Sequence, residues 1–216
     1  MKTLSTVLML LTTLFFQGCD DSHETDSVTN EPTTLTELQK YSLAFMWHEE
    51  KLAHDIYLAF DAINPSTTLK NIATKAEVEH MAIMENLVIQ YDINITNLNN
   101  FKVNYSEDEL RSIPAGTFVV PAIQELYDNL YAEGNISLVA SYQTACKVEV
   151  IDINDLNDEI ITAADNQGLI DAFILLRAGS YKHYWAFDGA LKGVGVTDGC
   201  CSLGETYCKT EAEYPR

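Results

Sequence analysis

Polar side chains with the chemistry of metal ligands interrupt the apolar face of a predicted helix. Residues 75–91, KAEVEHMAIMENLVIQY, continue a stripe of apolar residues at the spacing of a core-facing helix, and Glu77 and His80 fall inside it, one turn apart. A lone Glu-x-x-His pair is common by chance in an acidic helical protein and would by itself be structural. Whether the pair belongs to a larger site depends on the other helices.

The same interruption occurs in three further predicted helices. In the first, helical periodicity does not decide whether Glu49 or Glu50 faces the core, although one of them must lie close to it. A later helix carries Glu149 and Asp152 on its stripe, three residues apart, and the last carries His183. The candidate metal ligands are therefore Glu50 (or Glu49), Glu77, His80, Glu149, Asp152 and His183.

Four carboxylates and two imidazoles in one interior predict a metal centre. An unpaired buried carboxylate costs several kcal/mol, four together repel one another, and no inward lysine or arginine is positioned to pair with them. Two divalent cations would neutralise the four negative charges. Oxygen donors with two imidazoles favour iron or manganese, with zinc as an alternative, and dinuclear sites hold their metals about 3.5 to 4 Å apart.

The elements that must position these residues are helices. Strand signals are scarce, and helical periods predict segments at Leu35–Ile63, Leu69–Tyr91, Pro121–Ala132, Ser137–Ala164 and Gln167–Leu191. The stretch Asp92–Val120 is rich in asparagine and aperiodic, which predicts a long crossover beside the short helix that begins at Pro121. Four long helices with one long connection in the middle predict an all-α, ferritin-like four-helix bundle over residues 35–192.

The amino-terminal residues are typical of an exported protein. Residues 1–18 combine a lysine with an apolar stretch too short to span a membrane, which indicates a signal peptide. The sequence FQGC resembles a bacterial lipobox, in which Cys19 would be lipidated; ordinary secretion is the alternative. Residues 19–34 then form an acidic tether. We expect the protein in the bacterial cell envelope, either lipid-anchored or free in the periplasm or medium.

The net charge of the chain limits the classes of partner that we expect it to bind. It contains 32 acidic and 13 basic residues, for a formal net charge of −19. Such a charge disfavours nucleic acid and anionic membranes and favours cations. We therefore expect no nucleic-acid partner and membrane contact only through the amino-terminal lipid.

The remaining cysteines indicate a stapled carboxyl terminus. In an oxidising compartment we expect Cys208 to pair with Cys200 or with Cys201 and so to close the tail at residues 193–216. A soft-metal site in CCSLGETYC is less favoured because no histidine lies nearby. We expect Cys146, which falls inside a predicted helix, to be buried and free.

Five blocks of the sequence occur in a characteristic order: HEEKLAHDIY, NIATKAEVEHM, GTFVVPAIQELYDNLYAEG, VEVIDINDL and AGSYKHYWAF. They resemble the successive blocks of the ferritin-like family catalogued as domain of unknown function 2202, from about Leu38 to Leu191. That family is similar to rubrerythrin and other ferritin-like di-metal proteins. The first ligand helix of rubrerythrin reads ExxAxxxY, which matches Glu50, Ala53 and Tyr57, so the resemblance favours Glu50 over its neighbour.

The resemblance also implies roles for other residues. EVEHM resembles the EKEHA of rubrerythrin, which implies ligand roles for Glu77 and His80, and Glu149 with Asp152 occupies the place of an ExxE pair. Further side chains are expected to support the ligands or to line the pocket: His54, Tyr57, Tyr142 and Ser180.

The last helix departs from the rubrerythrin pattern. Ser180, flanked by a glycine, stands three residues before His183, where a bridging carboxylate is expected. Asp152 could restore the number of ligands, and the small residues could leave an open position for water, dioxygen or peroxide. A mononuclear or degenerate site is the alternative.

Two classes of function follow. The first is an exported di-iron or di-manganese oxidoreductase that reduces peroxide or oxidises ferrous iron with dioxygen. The chain lacks a rubredoxin-like CxxC pair, so electrons would come from an external donor that the sequence does not identify. The second is non-catalytic: a metal-binding or structural envelope lipoprotein, or a helical interaction module whose polar core is vestigial. The oligomeric state is open, with a homodimer as a candidate.

Overall fold

The computed structural model describes residues 34–95, 98, 108–109 and 112–216. These residues fold into helices, with no strand among them, which confirms the all-α prediction. The α-helices are α1 (Glu37–Ile63), α2 (Thr67–Asn71), α3 (Val78–Gln90), α4 (Pro121–Gly134), α5 (Leu138–Ala163) and α6 (Gln167–Gly193). A π-helical stretch, Ile72–Glu77, joins α2 to α3, and 3₁₀ turns at Gly199–Leu203 and Glu205–Tyr207 follow α6.

The helix starts are encoded locally. Thr36 and Gln39 form a capping box at the start of α1, and Ser137 and Asn166 cap α5 and α6 through their side-chain oxygens. The caps satisfy backbone N–H groups that the first turn leaves without partners. Because these signals lie in the sequence itself, the predicted boundaries agree with the structure to within two residues.

The second predicted segment is not one continuous α-helix. The π-helical stretch widens the turn before Glu77, which rotates the face that α3 presents to the core. Glu85 and Val88 are buried as a result, whereas Ile83 and Leu87, which a uniform α period places in the core, are only partly buried. The prediction of a single α period through this segment is therefore wrong.

The core consists of two apolar clusters separated along the helices by polar residues. Tyr57 and Phe187 pack in one cluster, with ring centroids 5.0 Å apart, while Trp47 and Phe173 belong to the other. Helix α1 packs against α3, α4 and α5, and α5 and α6 form an extensive pair. The two clusters therefore shield a polar layer at mid-length from water on both sides along the helices.

The carboxyl-terminal tail is attached to the helices by a disulfide bond. Cys146 of α5 is bonded to Cys200, so the prediction that Cys146 is free is wrong. Cys201 is bonded to Cys208, which is one of the two pairings that the sequence left open. Periodicity placed Cys146 correctly in a buried position, but its partner lies 54 residues away and reaches it only because the tail folds back over α5 and α6.

The predictions for the amino terminus lie almost wholly outside the described residues. They concern the signal peptide at residues 1–18, the lipidated Cys19 and all but the last residue of the acidic tether at 19–34. Among the helices of the described residues, none combines the length and hydropathy that crossing a bilayer requires.

Candidate metal centre

The polar layer between the two apolar clusters contains the candidate ligands. Each of them is at most 8% exposed: Glu50 from α1, Glu77 from the end of the π-helical stretch, His80 from α3, Glu149 and Asp152 from α5, and His183 from α6. Residues from α1, from the continuous segment formed by the π-helical stretch and α3, from α5 and from α6 therefore meet in one buried place.

Glu77 lies between the two imidazoles. Its Oε2 atom is 3.4 Å from Nδ1 of His80, and its Oε1 atom is 3.0 Å from Nδ1 of His183. The ring centroids of the histidines are 5.1 Å apart, and one ligand atom from each of the three residues lies within 4.8 Å of the others. Each oxygen of the Glu77 carboxylate thus faces a different histidine.

Each histidine also has a carboxylate of its own. Oε2 of Glu50 lies 3.1 Å from Nδ1 of His80, and Oε1 of Glu149 lies 3.6 Å from Nδ1 of His183. The cluster therefore consists of two imidazole–carboxylate pairs joined by Glu77. This arrangement has the ligand types of a dinuclear centre with one shared carboxylate.

Several ligand atoms in the cluster have no hydrogen-bond partner among the described residues: Glu50 Oε1, Asp152 Oδ1 and His183 Nδ1. The nitrogen of His183 is close to Glu77 and Glu149, but no hydrogen bond of acceptable geometry forms. A buried polar atom left unpaired costs about 1 to 3 kcal/mol. Coordination to a cation would satisfy all three atoms, so the residues present fit a metal centre.

Burial opposes the ionisation of the outer carboxylates. It raises the pKa of Glu50, Glu149 and Asp152 above the ordinary values of these groups. At Asp152, the nearby carboxylates of Glu50 and Glu149 raise the pKa further. A bound divalent cation would reverse this effect by supplying the missing positive charge.

The histidines act in the opposite direction on the central carboxylate. Burial alone would raise the pKa of Glu77, but His183 and His80 outweigh it and lower the pKa to about 2. Burial likewise opposes protonation of the histidines, yet the neighbouring carboxylates raise the pKa of His183 to about 10 and that of His80 well above its ordinary value. Without metal, both imidazoles therefore carry protons at neutral pH.

Two hydroxyl groups hold ligands in place. The phenol of Tyr57 donates a hydrogen bond of 2.6 Å to Oε1 of Glu149, and the hydroxyl of Ser180 donates one of 2.6 Å to Oδ2 of Asp152. Ser180 of α6 thus orients a carboxylate that α5 supplies. Such outer partners fix the direction in which a ligand points.

Gly179 makes room for His80. A Cβ atom at this position would lie 2.2 Å from Nε2 of His80, so any other residue would displace the imidazole. Beside Gly179, a pocket of about 300 Å³ opens between α3 and α6, and both His80 and His183 line it. The small residues of AGSYKH therefore coincide with an opening that reaches the cluster from solvent.

Two side chains predicted to support the site make their described contacts elsewhere. Nδ1 of His54 lies 2.8 Å from Oδ1 of Asp55, and His54 lines a separate pocket of about 180 Å³. The phenol of Tyr142 pairs with the hydroxyl of Ser66 at 2.6 Å. Although His54 and Tyr142 lie on the same helices as candidate ligands, their polar atoms make these contacts outside the cluster.

Sequence reasoning missed Asp155 and the role of Glu49. Both Glu49 and Glu50 are buried, but Glu49 turns away from the histidines and shares a hydrogen bond with Asp155. That bond requires a proton on one of the two carboxyl groups. The three-residue spacing of Asp152 and Asp155 on α5 is the signal that could have indicated a second acidic group on this face.

Similarity to known proteins extends over most of the fold. The uncharacterized protein domain DUF2202 matches residues 39–206. The chain is 30% identical over 161 residues to the uncharacterized protein MJ0754 of Methanocaldococcus jannaschii, which covers 74% of this chain and 79% of that protein. The crystal structure of hypothetical protein MJ0754 is similar with a TM-score of 0.65, over 74% of this chain and 83% of that one. The chain therefore belongs to the DUF2202 family.

Proposed function

We propose that this protein is a ferritin-like four-helix bundle that binds a dinuclear iron or manganese centre and reacts with dioxygen or peroxide. The observation that carries the proposal is the position of Glu77, whose two oxygens face two different imidazoles, each with a carboxylate of its own. A core histidine with an ordinary structural role needs one hydrogen-bond partner. Two histidines that share a central carboxylate are the ligand pattern of a paired metal site.

The ligands divide naturally between two cations. His80 with Glu50 would hold one, His183 with Glu149 would hold the other, and Glu77 would contact both. Asp152, held by Ser180, adds a fourth carboxylate, so that the negative charges balance two divalent cations. Zinc would fit the same ligands but would provide no redox chemistry.

The helix arrangement supports the comparison with ferritin-like proteins. The ligands come from α1, from the segment around α3, from α5 and from α6, near the middle of each long helix. A long connection separates α3 from α4. Di-metal carboxylate proteins of the ferritin-like class build their sites in this way, from inward residues of four helices.

Bound iron or manganese would supply the redox couple, and the chain would control access and charge. The pocket between α3 and α6 would admit a small oxidant to His80 and His183. The apolar clusters limit water on the other sides, and Tyr57 holds Glu149 in a fixed orientation. The electron donor would be external, because Cys146, Cys200, Cys201 and Cys208 are all used in disulfide bonds.

The same cysteines support a second candidate function and an extracytoplasmic location. Every cysteine among the described residues is in a disulfide bond, so none of these four supplies electrons as a free thiol, which favours a non-catalytic metal-binding envelope protein as the alternative. Disulfide bonds of this kind form and persist in oxidising compartments. This agrees with export directed by residues 1–18 and anchoring through Cys19.

Metal analysis and oxidant-dependent spectra test the proposal. Protein purified without chelators should contain about two metals per chain, or should take up about two ferrous ions when they are supplied without oxygen. Addition of peroxide or dioxygen should then change the absorption spectrum rapidly. Stable metal without a spectral change would favour the binding protein over the enzyme. Failure to bind iron, manganese or zinc would contradict both.

A further inference from the structure

A second, smaller cavity reaches the polar layer from another side of the molecule. It has a volume of about 10 Å³ and lies where α1, α4 and α5 meet, whereas the pocket at the histidines lies between α3 and α6. Its polar lining comes from Glu49 and Asp152. The volume accommodates one water-sized particle, and hence a single ion rather than an organic molecule.

Both acidic residues of this cavity have an oxygen atom without a partner. Glu49 is 7% exposed and Asp152 is 8% exposed, and neither Oε2 of Glu49 nor Oδ1 of Asp152 has a hydrogen bond within the described residues. The hydroxyl of Ser180 occupies the other oxygen of Asp152. Two buried acceptors that line the same small cavity are costly unless a donor or a cation occupies it.

The acidic groups continue from this cavity in both directions. Towards solvent, Glu49 is hydrogen-bonded to Asp155, which is only partly buried. Towards the interior, Asp152 interacts electrostatically with the cluster carboxylates Glu50 and Glu149. The carboxylates therefore form a continuous series from the surface of α5 to the cluster.

The pocket at the histidines is not lined by a series of acidic groups. Glu79 and Lys182 in its lining balance each other, the protonated imidazoles of His80 and His183 add positive charge, and apolar side chains such as Ile83 and Leu175 complete it. A neutral or weakly charged oxidant could enter there, but a hydrated divalent cation would gain little. The polar groups of the α1–α5 cavity, together with Asp155 beside it, are all carboxyl groups, and their net negative charge attracts cations and raises their local concentration.

We propose that Glu49, Asp152 and Asp155 form a loading site for a hard divalent cation, from which the cation passes to the buried cluster. This inference rests on the proposed metal centre. Carboxylate oxygens are the ligands that ions such as Mn²⁺ and Fe²⁺ accept readily in exchange for water. Cations and oxidant would then reach the cluster from different sides of the bundle.

Loading kinetics of the full chain test this role, with Co²⁺ alone as the probe. Binding is followed by stopped-flow visible absorption and the final stoichiometry by metal analysis. Asp155→Asn removes the negative charge of the hydrogen-bonded pair, and Glu49→Gln replaces one of its two carboxyl groups by an amide. We expect each to slow loading roughly tenfold while the final stoichiometry stays that of the wild type. Asp158→Asn is the matched control, because Asp158 is an exposed acid of the same helix, about one turn further from the cavity than Asp155.

Each other outcome overturns the inference. Loading rates equal to the wild type in both variants would show that cations enter elsewhere, although the metal centre itself would stand. Equal slowing by Asp158→Asn would assign the effect to general surface charge. A wild-type chain that binds no Co²⁺ would instead contradict the proposed function and the loading site with it. Circular dichroism of each variant ensures that the comparison is made between folded proteins.

Discussion

Two neighbouring residues of α1 belong to buried charged regions of opposite character. Glu50 points into the cluster of candidate metal ligands, whereas Lys51 belongs to an ion pair with Asp55, in which the amine and the carboxylate are 2.5 Å apart. The Lys51 amine also donates to the backbone carbonyls of Pro114 and Thr117, at 3.0 and 3.2 Å. All three donors of the amine are therefore used, and the ion pair ties the end of the crossover to α1.

The carboxylate of this ion pair is satisfied as well. Oδ2 of Asp55 accepts the backbone N–H of Gly116 at 2.8 Å, and Oδ1 lies 2.8 Å from Nδ1 of His54. The Lys51 amine also lies 4.4 Å from the ring centroid of Phe118, a favourable cation–π contact. In the cluster, by contrast, Glu50, Asp152 and His183 all have atoms without a partner.

We interpret the contrast as the difference between a structural ion pair and the proposed metal site. Both regions are equally buried, so burial alone does not distinguish them. The charged groups of Lys51 and Asp55 find all their hydrogen-bond partners within the chain. A buried ion pair that only stabilises the fold needs such partners. In the cluster, the proposed cations would satisfy the atoms that have no partner among the described residues. Five predictions test this difference, from the largest expected effect to the smallest.

Lys51→Ala should produce the largest loss of stability. It leaves the buried carboxylate of Asp55 without its cation, which costs about 3 to 5 kcal/mol of the free energy of unfolding. Urea denaturation of the metal-free protein measures this. Asp152→Asn is the control from the cluster and should cost less than about 1 kcal/mol, because burial already favours the neutral form of Asp152. The reverse order would contradict the distinction.

Glu77→Ala should have the largest effect on metal binding. It removes the carboxylate that faces both imidazoles, and we expect the affinity for Mn²⁺ to fall more than about 100-fold, beyond the loss typical of an outer partner. Glu79→Ala is the matched control, because Glu79 is an exposed acid of the same helix. Isothermal titration of both variants provides the comparison. Equal effects would mean that α3 is oriented differently in solution.

Metal affinity should fall steeply as the pH is lowered. The pKa of His183 is raised to about 10 and that of His80 well above its ordinary value, so both are protonated at neutral pH and must release protons when a metal binds. Each released proton weakens binding about tenfold per pH unit. Titrations in buffers of different ionisation enthalpy count the protons directly, and release of none would contradict the ligand roles of these histidines.

The two regions should also respond to pH with opposite signs in the metal-free protein. The raised pKa of His183 means that its contribution to stability is present below about pH 6.5 and is lost as the pH rises towards 10. The pKa of Asp55 is lowered, despite burial, by His54 and Lys51, so its contribution is lost only in acid, below the ordinary value of 3.8. Denaturation midpoints across this range, compared with those of Lys51→Ala, separate the two effects.

Tyr57→Phe should have the smallest of these effects. It removes the hydrogen bond to Glu149 but no ligand, and we expect a loss of metal affinity of about tenfold. Tyr142→Phe removes the same group from a tyrosine whose hydroxyl pairs with Ser66, away from the cluster, and should leave the affinity unchanged. A competitive chelator titration of the two variants measures the difference, and equal losses would argue against a supporting role for Tyr57.

Much of the candidate site could be predicted, because helical periodicity indicates which side chains of a single helix face the core. The carboxylates and histidines on the apolar stripes, such as Glu149 and His183, lie together in the structure. Periodicity could not separate Glu49 from Glu50, because adjacent residues of a helix differ by only about 100° and both are buried. It also missed the π-helical stretch at Ile72–Glu77, which no composition signal marked.

The sequence by itself determined the helices, their caps and the chemical types of the buried ligands, because these depend on residues close together in the chain. Tertiary structure alone decided which groups meet. It brought Cys200 to Cys146 across 54 residues and made Gly179 the neighbour of His80. It also brought backbone carbonyls of the crossover to the Lys51 amine, which donates hydrogen bonds to them. One carboxylate oxygen of Glu50, in contrast, has no hydrogen-bond partner among the described residues. Such proximities depend on how whole helices pack, and local sequence carries no direct record of them.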